Sequence, residues 1–234
     1  MMKRFFVIAL FVLGLGQLYA QPVRDTAWTK AGYFGLKLTQ VSLSSWSAGG
    51  ESALAFDSQI TYSADFKRDR QLWQNRLELG YGLTKNDGKS ARKTNDKIYF
   101  ASTYGYQIYK TLYWSALLNF NTQFAKGYDY NIEDSDFISK FMAPGYLMIG
   151  TGVTWSPNKI FTATFTPASW RGTIVADSRL ADEGAFGVDK GKHLLSEFGA
   201  NLKAEVNYEF LPNMKVYSRL ELYSNYLEDP QNVD

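Results

Sequence analysis

Cysteine is absent from the 234-residue sequence, and histidine occurs once. A chain without cysteine forms no disulfide bonds, thiolate metal sites or cysteine nucleophiles, and it carries no lipid on an N-terminal cysteine. The protein must therefore be held together by the packing of its own side chains or by a membrane.

An excess of charge of one sign is also missing. The formal net charge is only +2, from 25 Lys and Arg against 23 Asp and Glu. Lys3 and Arg4 account for this excess, so the rest of the chain is neutral. Because phosphate backbones are bound by a net basic surface, the balance argues against nucleic acid as a partner.

Long hydrophobic runs are scarce, and the one that stands out covers Phe5 to Leu15. It follows two basic residues and precedes Leu18-Tyr19-Ala20, which is the order of regions in a secretory signal peptide. An uncleaved transmembrane anchor would need about 20 apolar residues, roughly twice this length. We expect export through a signal peptide at residues 1–20, cleaved between Ala20 and Gln21, and a single domain over residues 21–234.

Alternation of apolar and polar residues dominates the chain from Tyr33 onward, whereas helical periodicity is hard to find. The clearest segment is 197–210, where Phe198 and Val206 belong to one set and Lys203 and Glu205 to the other. A period of two predicts strands that turn one face towards an apolar phase and the other towards water. We predict about nine strands, several of them near the roughly 10-residue length of a tilted membrane-spanning strand. They cover residues 34–43, 52–66, 73–81, 98–106, 112–124, 146–155, 161–167, 197–210 and 215–226.

The predicted connections alternate between long loops and short turns. The long ones are 44–50, 85–95, 125–145 and 168–195, and the short ones are 67–70, 109–111, 156–159 and 211–213. This sorting is typical of an all-β, antiparallel, up-and-down outer-membrane β-barrel, with the short turns on the periplasmic side. Such barrels have even strand numbers and no open edges, so either the count of nine is wrong by one or at least one C-terminal strand is missing, and we favour the second.

Charged residues of both signs fall on the polar faces of neighbouring predicted hairpins. Ionisable groups at membrane depth are costly unless they are paired or in contact with water, and they commonly line a pathway. The sequence leaves a water-filled pore and a salt-bridged plug equally open, because strand number sets the width of the interior. The residues predicted to line the lumen are Arg76, Glu78, Lys203, Glu205, Arg219 and Glu221.

Other groups that could carry chemistry lie in the long loops. His193 has Asp189, Ser196 and Glu197 nearby in sequence, but no nucleophile-elbow motif accompanies it, so we expect an ordinary loop residue. An acidic cluster could hold Ca²⁺, yet its spacing matches no calcium loop, so we expect no metal site or cofactor. Basic residues between 85 and 97 could pair with this cluster or contact lipopolysaccharide phosphates. The cluster comprises Asp129, Glu133, Asp134 and Asp136.

Four sequence strings together resemble a family of exported Bacteroidota proteins, the domain of unknown function 3078. They are SWSAGGE at 45–51, RKTNDK at 92–97, TQFAKGY at 122–128 and GAFGV at 184–188. The resemblance implies an outer-membrane barrel that continues beyond the last residue of this sequence. It implies no catalytic residues, because the family has no assigned activity.

The sequence therefore predicts an outer-membrane β-barrel that is not an enzyme. Its expected role is passage of small solutes or a structural or docking function, with outer-membrane lipid and lipopolysaccharide as neighbours. Two alternatives remain: a lipid-modifying barrel enzyme, and a soluble periplasmic β-sandwich that binds a ligand. Sheet periodicity by itself does not say which face points inwards.

Overall fold

The computed structural model describes residues 27–43, 51–132, 136–158, 160–212 and 214–227. The described chain is all-β, with nine long strands in one antiparallel sheet. Each of these strands pairs with its sequence neighbours in the sheet, which gives the predicted up-and-down order. The nine are β1 (Trp28–Val41), β2 (Ala53–Arg68), β3 (Gln71–Asn86), β4 (Arg92–Tyr109), β5 (Leu112–Thr122), β8 (Gly145–Trp155), β9 (Phe161–Ile174), β10 (Leu194–Leu211) and β11 (Met214–Asn225).

Smaller elements lie in the connections between these strands. A two-stranded hairpin, β6 (Gly127–Tyr128) and β7 (Phe137–Ser139), lies between β5 and β8. Helix α1 (Ser178–Glu183) and a 3-10 turn (Ala185–Gly187) lie between β9 and β10. No helix in the described ranges is both long enough and apolar enough to cross a bilayer. Within the same ranges β1 and β11 form the two edges of the sheet and do not pair with each other.

The strand register sorts the side chains by polarity. Ile60 of β2 lies opposite Leu79 of β3, which lies opposite Ile98 of β4. One position further along, Thr61 lies opposite Glu78, which lies opposite Tyr99. Because successive side chains point to opposite faces, this register collects the apolar residues on one face and the polar residues on the other.

No protein layer of the described chain covers the apolar face. Large side chains on this face stay exposed in every part of the sheet: Phe34 at 65%, Ile60 at 40%, Trp114 at 44%, Phe165 at 50% and Leu220 at 54%. A water-soluble sheet usually buries its apolar face against a second layer, and the described residues provide none.

β9 continues through Pro167, where we predicted that the strand would end. Proline has no N–H to donate to a neighbouring strand, which usually confines it to strand ends, edges or bulges. Here the register of β9 shifts against both neighbouring strands, β8 and β10. Against β10, Thr166 pairs with Asn201 while Ser169 pairs with Gly199. The resulting β-bulge tolerates the missing donor, and the strand runs on to Ile174. The long loop predicted at 168–195 is therefore shortened to 175–193.

The connections are sorted between the two rims, although less strictly than predicted. One rim carries 69–70, 110–111, 156–160 and 212–213, and the other carries 42–52, 87–91, 123–144 and 175–193. The predicted loop 85–95 shrinks to 87–91, because β3 and β4 extend further than their alternation indicated. The connection 87–91 is thus no longer than the connection 156–160 on the opposite rim. The other three connections on the rim of 87–91 are longer.

The two longest connections, 123–144 and 175–193, pack on each other, and we refer to them together as the cap. The buried hydrophobic cluster of the described chain lies mainly in the cap and consists of Ala143, Val175, Leu180, Ala181 and Val188. The backbone N–H of Ala176 donates to the carbonyl of Met142 at 2.8 Å, which joins the two segments directly. The cap thus has its own small core above the sheet.

Helix α1 is fixed at both ends. The Asp177 carboxylate accepts a hydrogen bond from the Leu180 N–H at 3.0 Å, and Gly184 ends the helix at a φ of +75°. Asp177 also pairs with Lys140 of the other cap segment, Nζ to Oδ2 at 2.5 Å. The Lys140 ammonium, together with the Leu180 N–H, lowers the pKa of the Asp177 carboxyl below its usual value.

Candidate functional site

The polar faces of the two ends of the sheet line one cavity of about 890 Å³. Residues of β2, β3 and β4 form one side, and residues of β9, β10 and β11 form the other. These groups of strands are far apart in the strand order, so they meet only if the sheet curls with its polar face inside. The described sheet is therefore a curved wall around a polar interior. The cavity size is in the range of small-molecule sites.

Five of the six residues predicted to line a lumen lie in this cavity. They are Arg76, Glu78, Lys203, Glu205 and Arg219. Glu221, the sixth, is on the same face of β11 and accepts a hydrogen bond from Asn201 Nδ2 at 3.2 Å. Charged residues from distant hairpins, all on faces that the alternation indicated to be polar, thus lie around one cavity.

The first charged cluster surrounds Glu78 on β3. Arg76 Nε lies 2.5 Å from Glu78 Oε1, and Lys97 Nζ of β4 lies 2.5 Å from Glu78 Oε2. The carboxylate side chain is 16% exposed, whereas the Arg76 and Lys97 side chains are 53% and 46% exposed. One recessed anion is therefore held between two cations that reach further into the interior.

The second cluster surrounds Glu205 on β10. Its carboxylate lies 3.1 Å from Lys203 Nζ and 3.0 Å from Arg219 Nε, and the Tyr217 hydroxyl donates to it at 2.7 Å. Arg219 is again more exposed than the carboxylate, at 40% against 26%. This cluster repeats the arrangement of two cations around one carboxylate.

Tyr99 of β4 connects the two clusters in space. It lies opposite Glu78 of the first cluster in the strand register, and it shares one cavity lining with Glu205 and Arg219 of the second. Tyr99 also lines the cavity. The clusters therefore belong to one interior site and are not two independent surface patches.

A third pair continues the polar face towards the rim that carries the cap. Arg171 of β9 forms two hydrogen bonds with the Glu197 carboxylate of β10, each at 2.8 Å. The Arg171 guanidinium also lies 4.0 Å from the centre of the Tyr223 ring. This bidentate contact holds the two side chains in a defined geometry.

Four ionisable residues of the cavity and its charged clusters are absent from the set predicted to line a lumen: Asp65, Lys97, Tyr99 and Tyr217. The signal was available, because odd-numbered positions of β4 share the polar face with Glu78. We instead assigned Lys97 to the basic segment that was expected to pair with an acidic loop. The longer β4 of the structure brings Lys97 onto the sheet, and Lys93 pairs with Asp96 at 2.7 Å.

His193 does not face a nucleophile. Its Nδ1 lies 2.7 Å from the carbonyl oxygen of Val175, which joins the two ends of the cap segment 175–193. Asp189 pairs with Lys192 at 2.7 Å and not with the histidine. This geometry gives His193 a structural contact in the cap.

The acidic cluster lies only partly in the described chain, because Glu133 and Asp134 fall outside it. Asp129 accepts a hydrogen bond from the Asn131 N–H at 3.0 Å, which is a local turn contact. Among the residues that the structure describes, no group of three or more potential metal ligands comes together. The predicted cleavage site at Ala20 and Gln21 also lies outside the described residues.

A larger cavity of about 1090 Å³ lies on the apolar face, around the bulge in β9. Its lining includes Trp73, Tyr104, Ile149, Trp170 and Phe198, and it contains no Asp, Glu, Lys, Arg or His. This groove is larger than the polar cavity, but its apolar lining is typical of a surface that contacts an apolar phase. The smaller polar cavity is therefore the candidate functional site.

Comparison with known proteins gives one match. The model of a family described as protein of unknown function (DUF3078) matches residues 38–128. This range extends from within β1 to β6, and it contains three of the four strings that suggested the resemblance. The resemblance is therefore confirmed over residues 38–128. No curated protein and no solved structure matches the chain significantly.

Proposed function

We propose that the protein is an exported outer-membrane β-barrel whose charged interior admits small polar solutes. The observation that carries this proposal is the orientation of the curved sheet. Its polar face encloses a cavity, and no layer formed by the described residues covers its outward-pointing apolar face. A lipid bilayer supplies the apolar phase that this outer face requires.

Strand length supports a membrane location. The nine strands of the sheet are between 11 and 18 residues long. A tilted strand needs about 9 to 11 residues to cross the hydrocarbon core of a bilayer. Each strand is thus long enough to cross, and the excess length extends into the aqueous phases.

Aromatic residues concentrate near the rim with the short turns. The Trp28 ring packs against Phe66 and Trp73, with ring centres 5.3 and 5.9 Å apart. At the same rim, Trp155 packs edge-on against Phe161 at 5.6 Å. Aromatic side chains on the outer face are favoured at the boundary between lipid and water, so they support a girdle at this level.

The two alternatives fit the geometry less well. A soluble sandwich would place the apolar face inside, whereas the large apolar residues of the sheet are exposed. A lipid-modifying enzyme would need a nucleophile beside a base, whereas His193 contacts a backbone carbonyl. In a membrane, the edges β1 and β11 must also be paired, because unpaired backbone groups in hydrocarbon cost several kcal/mol each.

The test is fractionation of cells that express the full gene product, followed by electrophoresis with and without boiling in detergent. We expect the protein in the outer-membrane fraction and a change of mobility on boiling. A soluble periplasmic protein with unchanged mobility would overturn the proposal. Conductance of the purified protein in planar bilayers then tests whether solutes pass through the interior.

A further inference from the structure

We propose that the interior cavity is a binding site for small anions that carry carboxylate or phosphate groups, held between Arg76 and Arg219. This inference rests on the proposed function for its location inside a barrel, and it adds the class of solute. Arg76 and Arg219 belong to different clusters and line the same cavity.

The first argument is the balance of charge around each carboxylate. Glu78 contacts two cations, and Glu205 contacts two cations and a phenol hydroxyl. Each cluster therefore carries a net charge of +1. Asp65 also lines the cavity, and Glu221 lies opposite Lys203 on the same face, so the charges of the site as a whole balance. The positive charge that an anion would meet is therefore local to the two clusters.

The second argument is exposure. The Glu78 and Glu205 carboxylates are 16% and 26% exposed, whereas the Arg76 and Arg219 side chains are 53% and 40% exposed. A solute that enters the cavity therefore meets cations before it meets the recessed carboxylates. Carboxylates whose oxygens already accept hydrogen bonds from cations repel an anion less than free ones would.

The third argument is the geometry of the two arginines. Both contact their carboxylate through Nε. Within the described chain, the terminal Nη groups of Arg76 and Arg219 donate no hydrogen bond to protein. Two neighbouring N–H groups of a guanidinium match the paired oxygens of a carboxylate or phosphate. The donors that such an anion needs are thus present and unoccupied by protein groups.

The fourth argument is the neutral surroundings of the pair. Tyr99, Thr103, Thr162 and Asn207 also line the cavity. Their hydroxyl and amide groups can donate further hydrogen bonds to an anion without adding charge.

The direct test is binding of inorganic phosphate to the folded, detergent-solubilised protein at pH 7 and low ionic strength, measured by calorimetry. We expect binding by the unmodified protein and a loss of at least about tenfold in affinity for the double variant Arg76→Gln/Arg219→Gln. Loss of one charge-assisted hydrogen bond is enough for this change, because a factor of ten corresponds to about 1.4 kcal/mol. Retention of the heat-dependent mobility shift shows that the variant is folded.

Two further variants separate charge from geometry and position. Arg76→Lys/Arg219→Lys keeps both charges but removes the paired N–H groups, so we expect a smaller loss of affinity than with glutamine. Lys37→Gln removes a cation from the same polar face outside the cavity, so we expect unchanged binding. Absence of phosphate binding to the folded protein, or equal binding by the glutamine double variant, would refute the site.

Reversal potentials in a KCl gradient across planar bilayers give an independent readout. We expect anion selectivity that falls in Arg76→Gln/Arg219→Gln and stays in the lysine double variant. Cation selectivity of the unmodified protein would overturn the inference. If a membrane-inserted protein shows no conductance but binds phosphate through these arginines, the anion site stands and passage of solutes is refuted.

Discussion

Replacing Ile60 by arginine places a charge at the middle of β2 on the apolar face. Ile60 is the eighth of the 16 residues of this strand, and it lies between Phe34 and Leu79 in the register. If this face meets lipid, Ile60→Arg should lower the free energy of unfolding by about 2–4 kcal/mol, the cost of an arginine at the bilayer midplane. In a water-soluble protein, the same change at a position that is 40% exposed should cost no more than about 0.5 kcal/mol.

Leu54→Arg is the matched control. Leu54 lies on the same strand and face, is 49% exposed, and is six residues away towards the rim with the cap. Six residues span about 20 Å along a strand, or about 14 Å of depth at a tilt of about 45°. The apolar band is about 25 Å tall, so Leu54 lies at its boundary, and the arginine should cost only about 0–1 kcal/mol there.

Both variants are folded into phospholipid vesicles and unfolded with guanidinium chloride, and tryptophan fluorescence reports the transition. The measured quantity is the difference between the losses of unfolding free energy in Ile60→Arg and Leu54→Arg. This difference removes any effect that arginine has at every exposed strand position. A difference of about 2 kcal/mol or more supports a lipid-facing surface. Equal losses would refute the assignment of this face to the membrane.

Two other predictions concern the sheet and the cap. Gly152→Ala should destabilise the protein by about 1–3 kcal/mol through overpacking, because a Cβ there would overlap the carbonyl oxygen of Phe165. Gly105→Ala, whose Cβ would lie 3.6 Å from its nearest neighbour, is the control, and equal unfolding midpoints would contradict the reasoning. The pKa of Asp177 is lowered in the folded cap, so its pairing with Lys140 stabilises the cap above about pH 3.8 and is lost as the pH falls through the lower folded value. Hydrogen exchange of residues 175–193 should show this loss, and a similar pH dependence in Asp177→Asn would rule out this carboxyl as its cause.

The alternation in the sequence was sufficient to predict the nine-stranded antiparallel sheet and its order. It also predicted which residues share a face, since Arg76 and Glu78 are two positions apart and must point the same way. It could not predict that the cluster around Glu78 and the cluster around Glu205 line the same cavity. That arrangement depends on the curvature of the whole sheet, which no local pattern contains.

The errors have local causes. Pro167 suggested a strand end, because the sequence does not show that a bulge removes the need for its missing N–H. Helix α1 is only six residues long, too short for a period of 3.6 to become visible. Its capping residues Asp177 and Gly184 were nevertheless readable, and they are the signal that could have located it.

The packing of the two cap segments has a consequence for immune recognition. In the proposed orientation the long connections face the outside of the cell, and Lys140 of one segment pairs with Asp177 of the other. An antibody raised against the folded protein would bind a discontinuous epitope drawn from both segments. Synthetic peptides of either segment alone would then fail to compete, and a serum that recognises boiled protein would miss the native cell surface.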